Sequence, residues 1–405
     1  MSWEQKTLDQ LGTVSRGRSK HRPRDDKRLF GGKYPFIQTA EVKAANFYIT
    51  EYSQTYSDFG LAQSKLWHPG TLCFTIAANI ADSAILGIDA CFPDSVMGFI
   101  PFEGVSDVRF VKYCFDLLQQ DCKQISQGTA QDNLSWKKLS TIKFPAPPYE
   151  KQVRIADILS TYDNLIENNQ KQIKLLEEAA QRLYKEWFVD LHFPGYEDSV
   201  IVDGVPEGWN IVCLNDVLSK ITTGLNPRKN FVLGNGKNYY VTIKNMGNNT
   251  IYLDDKCDKV DDEALEKINK RSDLQTGDIL FSGIGTMGRV YLISIPTDNW
   301  NVSESVFTMR ANERVSKEFL YLLLLSRDVQ SYCDSNAHGV AQRGIRMADL
   351  KAYKFSLPEE DILDAFTALV KPIIENVQVL NKQIVLYTEA RDRLLPKLMS
   401  GEIEV

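Results

Sequence analysis

The segment GIGTMG (Gly283 to Gly288) has the glycine spacing that lets a main chain approach a nucleotide pyrophosphate. It follows the strand-like DILFS, as a dinucleotide-binding fingerprint requires. That fingerprint also needs a helix next, because the helix N-terminus binds the pyrophosphate. The following residues, RVYLISI, are typical of a strand, and a related upstream segment has Ile76, Ala78 and Ala81 at the glycine positions. The sequence therefore favours a glycine-bearing turn between two strands.

A second segment with possible chemistry is APPY (Ala146 to Tyr149), which is close to the Asn/Asp-Pro-Pro-Tyr motif of amino-methyltransferases. In those enzymes the first side chain hydrogen-bonds the target amine, which alanine cannot do. A related downstream segment reads SLPE. We interpret the prolines as the end of one element before a helix.

Metal and ATP chemistry find no better support. The acidic segment LDDKCDKVDDEALEK (Leu253 to Lys267) lacks the spacing of a metal-dependent nuclease and is typical of a solvated, charged helix start. A GxxxxGK(S/T) phosphate loop is absent. Seven cysteines form no CxxC pair and four histidines are scattered, so neither a zinc site nor a disulfide framework is indicated. We expect reduced thiols in a cytoplasmic protein.

The remaining chemistry is electrostatic. The net charge of −6 argues only weakly against nucleic acid, since binding depends on local patches. The segment Ser15 to Lys33 holds eight Lys/Arg against two Asp. It is either a solvated, partly disordered loop or a surface for phosphate. No apolar run reaches the roughly 18 residues of a membrane span, and the N-terminus shows no secretory signal.

A long internal repeat organises the chain. QKQIKLLEEAAQRL (Gln170 to Leu183) returns as NKQIVLYTEARDRL (Asn381 to Leu394), with eight of fourteen residues identical and an offset of 211. The same offset relates Gly128 to Pro147 with Gly339 to Pro358. Nearer the N-terminus the offset drifts to 207 and 206, where Trp3 opens one copy and Trp209 the other. Each unit is therefore a domain of roughly 150 residues followed by a long helix.

The domains have mixed α/β patterns. Strands are expected in YPFIQTAEV (Tyr34 to Val42), NYYVTIKNM (Asn238 to Met246), GTLCFTI (Gly70 to Ile76) and GDILFSG (Gly277 to Gly283). FLYLLLLSRDVQSYC (Phe319 to Cys333) is predicted to be one buried helix, with VKYCFDLLQQDC (Val111 to Cys122) as its counterpart.

The long helices carry heptad seams, in which apolar residues recur at spacings of four and three. The first seam is Ile155, Leu159, Tyr162, Ile166, Asn169, Ile173, Leu176, Ala180, Leu183 and Trp187. The second is Phe366, Val370, Ile373, Val377, Leu380, Ile384, Tyr387, Arg391, Leu394 and Leu398. Arg391 interrupts the second seam, and Pro372 predicts a kink or a late start. Asn169 either fixes the register of the seam or faces solvent at its edge.

These seams most simply bury each other in an antiparallel pair. A parallel pair would need the short linker after Phe188 to return along about 50 Å of helix. We predict an α+β fold with two similar mixed α/β domains at opposite ends of a long antiparallel two-helix coiled coil, related by a pseudo-twofold axis.

Two diverged domains held apart suit duplex DNA, whose major groove presents features about 34–36 Å apart. Identical domains would read a palindrome, whereas domains that differ would read unrelated half-sites. In the first domain the candidate contacts are Arg16, Arg18, Lys20, Arg22, Arg24, Lys27, Arg28, Lys33, Gln38 and Thr39. In the second they are Arg228, Lys229, Lys237, Lys244, Asn245, Arg343 and Arg346.

The chain resembles the specificity subunit of type I restriction–modification systems. The residues that carry the resemblance are PEGWNIVCLNDV (Pro206 to Val217), the segment from Gly128 to Leu159, its second copy from Gly339 to Ile362, and the duplication itself. The resemblance covers nearly the whole chain. It implies target-recognition domains at 1–147 and 196–357, and helical spacer and docking segments at 148–195 and 358–405.

The resemblance also implies partners. Two methyltransferase subunits would bind the helices, and ATP-dependent restriction subunits would join through them. The chain itself would perform no chemistry, and S-adenosylmethionine, ATP and magnesium would belong to the partners. An alternative from another class is a coiled-coil scaffold whose two lobes bind protein or sugar and are not specific for DNA.

Overall fold

The computed structural model describes residues 3–76, 82–125, 139–202, 204–247, 249–339 and 343–405. Part of the repeated segment, residues 128–138 and 340–342, lies outside this description, as do Ala78 and Ala81. The chain divides into two compact units. The first unit is Met1–Asn169 with Gln383–Val405, and the second unit is Gln170–Lys382. Within the described ranges, no helix combines the length and the apolar character needed to cross a membrane.

Each unit contains short strands and short helices. The strands of the first unit are β1 Glu4–Lys6, β2 Gly12–Arg16, β3 Phe30–Phe36, β4 Tyr48–Ile49, β5 Gln54–Tyr56, β6 Leu66–Trp67, β7 Leu72–Thr75, β8 Ser83–Leu86, β9 Ala90–Cys91, β10 Val96–Pro101 and β11 Phe144–Ala146. Those of the second unit are β12 Ile201–Val202, β13 Val205–Pro206, β14 Asn210–Cys213, β15 Leu218–Thr223, β16 Asn238–Val241, β17 Asp258–Val260, β18 Ile279–Ser282, β19 Val290–Leu292, β20 Trp300–Val302, β21 Val306–Ala311 and β22 Lys354–Leu357. The shorter helices are Leu8–Leu11, Thr39–Ala44, Asp58–Ala62, Val108–Ile125, Pro227–Asn230, Asp262–Ser272, Lys317–Leu325, Arg327–Ser335 and Met347–Lys351. Single 3-10 turns occur at Lys27–Leu29, Tyr196–Asp198, Leu214–Val217 and Ile243–Asn245.

The two units share a core topology, as the repeat predicts, and the first unit adds the short strands β4 and β6. The first has a sheet in the order β2-β10-β7-β8-β4, and the second has β15-β21-β18-β19. A parallel pair recurs as β3 with β9 and as β16 with β20. The terminal pair recurs as β1 with β11 and as β14 with β22, where Glu4 faces Ala146 and Asn210 faces Leu357. These registers reproduce the sequence offsets of 206 and 211.

Two long helices, Tyr149–Phe188 and Glu360–Ser400, contribute residues to both units. The first begins directly after Pro147 and Pro148, so the prolines of APPY end β11 and precede the helix, as expected. The second runs through Pro372 without a break, so the predicted late start is wrong. Proline removes one hydrogen bond from a helix. Burial of Val370 and Ile374 on either side of it offsets that loss.

Three segments differ from the elements that hydrophobic periodicity predicts, and local capping accounts for the differences. The strand expected over Tyr34 to Val42 ends at Phe36, because Glu41 accepts a hydrogen bond from the Gln38 amide and the helix Thr39–Ala44 begins there. The strand at Asn238 likewise ends at Val241, before a 3-10 turn. The helix expected over Phe319 to Cys333 is two helices. Ser326 is extended and caps the second by accepting from the Val329 amide.

The glycines of GIGTMG form the turn between β18 and β19, as predicted. Gly285 and Gly288 have φ of 77° and 86°, in the left-handed region that favours glycine. Gly283 packs on Phe307, where a Cβ would lie 2.6 Å from the ring. Each glycine therefore has a structural reason, and a strand follows where a cofactor fingerprint requires a helix.

In each unit the long helices pack antiparallel. In the first unit Asp163 pairs with Arg391 and Asn169 with Gln383, so residue numbers rise on one helix as they fall on the other. In the second unit Trp187 contacts Phe366, with ring centroids 5.6 Å apart. Further along the pair, Leu176 and Val377 line the same cavity. This direction agrees with the prediction from linker length.

Arg391 does not leave a gap in the first unit. Its guanidinium donates to Asp163 Oδ1 at 2.5 Å, and Tyr113 donates to Asp163 Oδ2 at 2.5 Å. The Asp163 side chain is 3% exposed. Burial alone would lower the pKa of Arg391, but the attraction of Asp163 outweighs burial and raises it. Asn169, also buried, donates to Gln383 at 3.0 Å, so the solvent-facing interpretation of Asn169 is wrong.

We predict that Arg391→Ala lowers the free energy of unfolding by about 3 kcal/mol, because it leaves the Asp163 carboxylate buried without its cation. The repeat supplies an apolar replacement, since Asp163 and Arg391 correspond to Ile374 and Ala180 in the other copy. Asp163→Ile with Arg391→Ala and Tyr113→Phe should recover most of the loss in urea denaturation followed by circular dichroism. A triple variant no more stable than Arg391→Ala would contradict this account.

Candidate nucleic-acid interface

The basic segment of the first unit is fixed by its main chain. The Arg18 amide donates to Phe92 O at 3.0 Å. The amides of Lys20 and His21 both donate to Gln63 Oε1, at 2.6 and 3.0 Å. These bonds hold the segment against the domain while its cations face solvent, in contrast to the alternative of a partly disordered loop.

The cations of this segment fall into two sets. Arg24 binds Asp94 through two bonds of 3.0 and 3.1 Å. Arg28 binds Asp26, and that hydrogen bond holds the pKa of the Asp26 carboxyl well below its usual range. Arg22 donates to the main-chain carbonyls of Ser19 and His21, both at 2.8 Å. Because these three cations already bind protein groups, they are less available to bind a phosphate.

The second set is exposed and, within the described residues, has no acidic partner. It consists of Arg16, Arg18, Lys20 and Lys27. Lys33 is also exposed, and its ammonium lies 5.2 Å from the centre of the Tyr34 ring. Unpaired, solvated cations on an ordered main chain are the groups that displace counterions from a phosphate backbone.

An aromatic residue that periodicity did not single out lies within this basic surface. Phe59 is 45% exposed, and Arg28 lies 5.2 Å from its ring centre. His21 approaches it edge-on at 5.2 Å. Exposed aromatic rings beside cations can stack on bases or sugars. The sequence SDFGLA does not predict this cluster, because the residues that contact Phe59 lie 30 to 40 positions earlier in the chain.

Gln38 has a partly structural role, and Thr39 is the first residue of the helix Thr39–Ala44. Gln38 Nε2 donates to Gln54 Oε1 at 3.2 Å. Gln38 and Thr39 are both half-buried.

Six of the seven candidate contacts in the second unit are cations, against eight candidate cations in the first unit. Arg228 and Lys229 are exposed on the short helix Pro227–Asn230. Lys237 is exposed and lies 3.5 Å from Asp262, and Lys244 is exposed on a 3-10 turn. Asn245 is different: it is buried, and its side-chain oxygen accepts from the Thr242 amide at 2.9 Å. The structure thus gives Asn245 a capping role in place of the expected surface contact.

Arg343 and Arg346 are both exposed. Arg343 Nη2 donates to Asp334 O at 2.8 Å, and Arg343 O accepts from the Gly285 amide at 2.8 Å. This second bond holds Arg343 against the glycine turn between β18 and β19. Arg346 immediately precedes the helix Met347–Lys351.

The described residues offer little for covalent or metal chemistry. Burial raises the pKa of the Cys91 and Cys257 thiols to about 11 and that of Cys333 to about 12, so these thiols stay protonated at neutral pH. Among the residues with described placement, no His, Cys, Asp and Glu side chains form a group that could hold a metal. The chemistry of the surface is therefore charge and hydrogen bonding.

Comparison with known proteins gives a consistent result. The family model described as "Type I restriction modification DNA specificity domain" matches residues 1–178 and 206–385, the two copies of the repeat. The type I restriction enzyme MjaIX specificity subunit of Methanocaldococcus jannaschii is 27% identical over 415 residues, covering 100% of this chain and 94% of that protein. The HindI specificity subunit of Haemophilus influenzae is 25% identical, covering 97% and 98%.

A solved structure shares the fold. The S subunit of a type I restriction–modification system from M. genitalium superposes with a TM-score of 0.58 at 16% identity. The match covers 98% of this chain and 96% of that one.

Proposed function

The chain belongs to the family of type I restriction–modification DNA specificity subunits, and from that premise we propose that its two domains read the two halves of a bipartite, asymmetric DNA site. The recognition domains would be residues 1–147 and 196–357. One observation carries the proposal: the family's DNA specificity domain occurs twice, with the same core topology and different exposed side chains.

The difference between the domains supports asymmetric recognition. The first presents its unpaired cations on one continuous segment, Arg16 to Lys27. The second presents Arg228, Lys229 and Lys244 from separate turns, with Arg343 beside the glycine turn. Surfaces that differ in this way cannot make equivalent contacts to two halves of a palindrome, so each is suited to its own half-site.

The long helices, within 148–195 and 358–405, would set the gap between half-sites and bind two methyltransferase subunits. Six large aliphatic side chains on these helices are exposed and are available to a partner. They are Leu165, Leu175, Leu369, Val379, Val385 and Leu386. A partner helix or sheet would bury them.

Under this proposal the chain is the non-catalytic subunit of its complex. Methyl transfer and DNA cleavage would reside in methyltransferase and restriction subunits, which would carry S-adenosylmethionine, ATP and magnesium. The family to which the chain belongs supports this division.

Replacing Arg16 and Arg18 by Ala should flatten the salt dependence of DNA binding by the assembled complex. Each phosphate contact contributes about 0.9 to the slope of log K against log salt concentration, so the slope should fall by about 1.8. Affinity should drop similarly for cognate and unrelated duplexes, because phosphate contacts carry little sequence information.

The matched control is Arg24→Ala with Arg28→Ala, in the same segment. These two cations already have carboxylate partners, so their loss should change the slope by less than half as much. Equal flattening by both pairs, or none by the first, would refute this assignment of the phosphate contacts. Titrations at several salt concentrations measure the slopes.

Inserting one heptad after Gln170 and another after Lys382 should lengthen the tolerated gap between half-sites. Seven helical residues add about 10 Å, or roughly three base pairs. Binding to duplexes with gaps of graded length measures the effect. The control is the same insertion in the first helix only. It changes which seam residues of the two helices face each other, and it should abolish binding. If the double insertion kept the original gap, the helices would not set it.

A further inference from the structure

A cavity of about 590 Å³ lies in the second unit, between the two long helices and the glycine turn of the β18–β19 hairpin. Its apolar wall includes Leu176 and Ala180 from the first helix and Ile374 and Val377 from the second, with Met287 from the hairpin. A volume of this size falls in the range of sites that bind a ligand or a partner's side chain.

The repeat shows what the equivalent position holds in the first unit. The offset of 211 relates Ile374 to Asp163 and Ala180 to Arg391. There Arg391 extends onto a buried carboxylate, and its aliphatic stem and guanidinium occupy the space between the helices. In the second unit Ala180 provides neither stem nor cation.

The cavity nevertheless keeps a carboxylate. Glu177 lines it, and Oε1 accepts a hydrogen bond from Asn249 Nδ2 at 2.9 Å. Asn249 has a φ of 50°, so its main chain adopts an unfavourable conformation at this point. Burial raises the pKa of Glu177, which means that the charged form lacks full solvation and would gain from a cation.

No cation of the described lining is directed at this carboxylate. Arg289 is the one Lys or Arg among the lining residues, and it donates to the main-chain carbonyls of Ile243 and Met246. A second acid, Glu178, also lines the cavity. An apolar wall with an acidic edge fits a group that has an aliphatic stem and a cationic tip, as lysine and arginine do.

We propose that this cavity receives a lysine or arginine side chain of one methyltransferase subunit, with its stem between Ala180 and Ile374 and its charge on Glu177. The inference rests on the proposed docking of methyltransferase subunits on the long helices. Continuity supports it, because exposed Leu175 and Val379 lie beside the lining residues Leu176 and Val377 on the same two helices. The two methyltransferase subunits then bind non-equivalently, since Arg391 already occupies the corresponding position in the first unit.

The test uses the full chain titrated with its methyltransferase subunit, with stoichiometry read by native mass spectrometry and affinity by calorimetry. Glu177→Gln keeps the acceptor for Asn249 and removes the charge. Ala180→Arg supplies from within the chain the cation that Arg391 supplies in the first unit. Each should weaken one of the two binding steps at least tenfold and leave the other unchanged. Glu375→Gln, an exposed acid of the second helix that does not line the cavity, should change neither step.

Two unchanged binding steps in both Glu177→Gln and Ala180→Arg, with unaltered melting temperatures, would overturn the inference and leave the proposed function intact. Equal weakening of both steps would also overturn it. A wild-type chain that binds no methyltransferase subunit would overturn both proposals. Stabilisation of the isolated chain by hexylamine, which mimics a lysine side chain, should be lost in Glu177→Gln and would support the inference.

Discussion

The antiparallel packing of two long helices is the constraint from which the other features of this protein follow. In each unit a segment of one helix lies against a segment of the other, and the globular domain packs on both. Aromatic contacts such as Phe188 on Phe319, with ring centroids 5.2 Å apart, join the long helices to the domain core in the second unit. In the first unit Ile155 and Leu398 share a core with Phe99 and Phe115. Neither domain core is complete without both helices.

Duplication made the two units alike, and divergence within the packed helices made them different. The first unit carries an ionic contact, Arg391 on Asp163, at positions where the second carries Ala180 and Ile374. A buried ion pair contributes little net stability compared with apolar packing, but it strongly disfavours any register that separates its members. The same exchange accompanies a cavity with an unneutralised acid in the second unit. Equivalent faces of the repeat are thus suited to different contacts.

Much of the fold could be predicted because its signals are local or periodic. The heptad seams, the helix direction and the 206 to 211 offsets of β1 with β11 and β14 with β22 were all present in the sequence. What escaped prediction depends on partners distant in the chain. Arg391 looked like an interruption because Asp163 lies 228 residues away. Likewise, no pattern shows that Asp94 neutralises Arg24, that Asn245 caps a turn, or that Phe59 lies against Arg28.

The central claim is that two unlike domains read two unlike half-sites at a distance set by the helices. Sequencing of methylated bases in DNA from cells that carry the intact complex tests it most directly. The account predicts one motif with two unrelated specific parts and a gap of constant length but free sequence, and this methylation should vanish when the chain is deleted. A single uninterrupted motif, a palindrome, or a gap of variable length would contradict it.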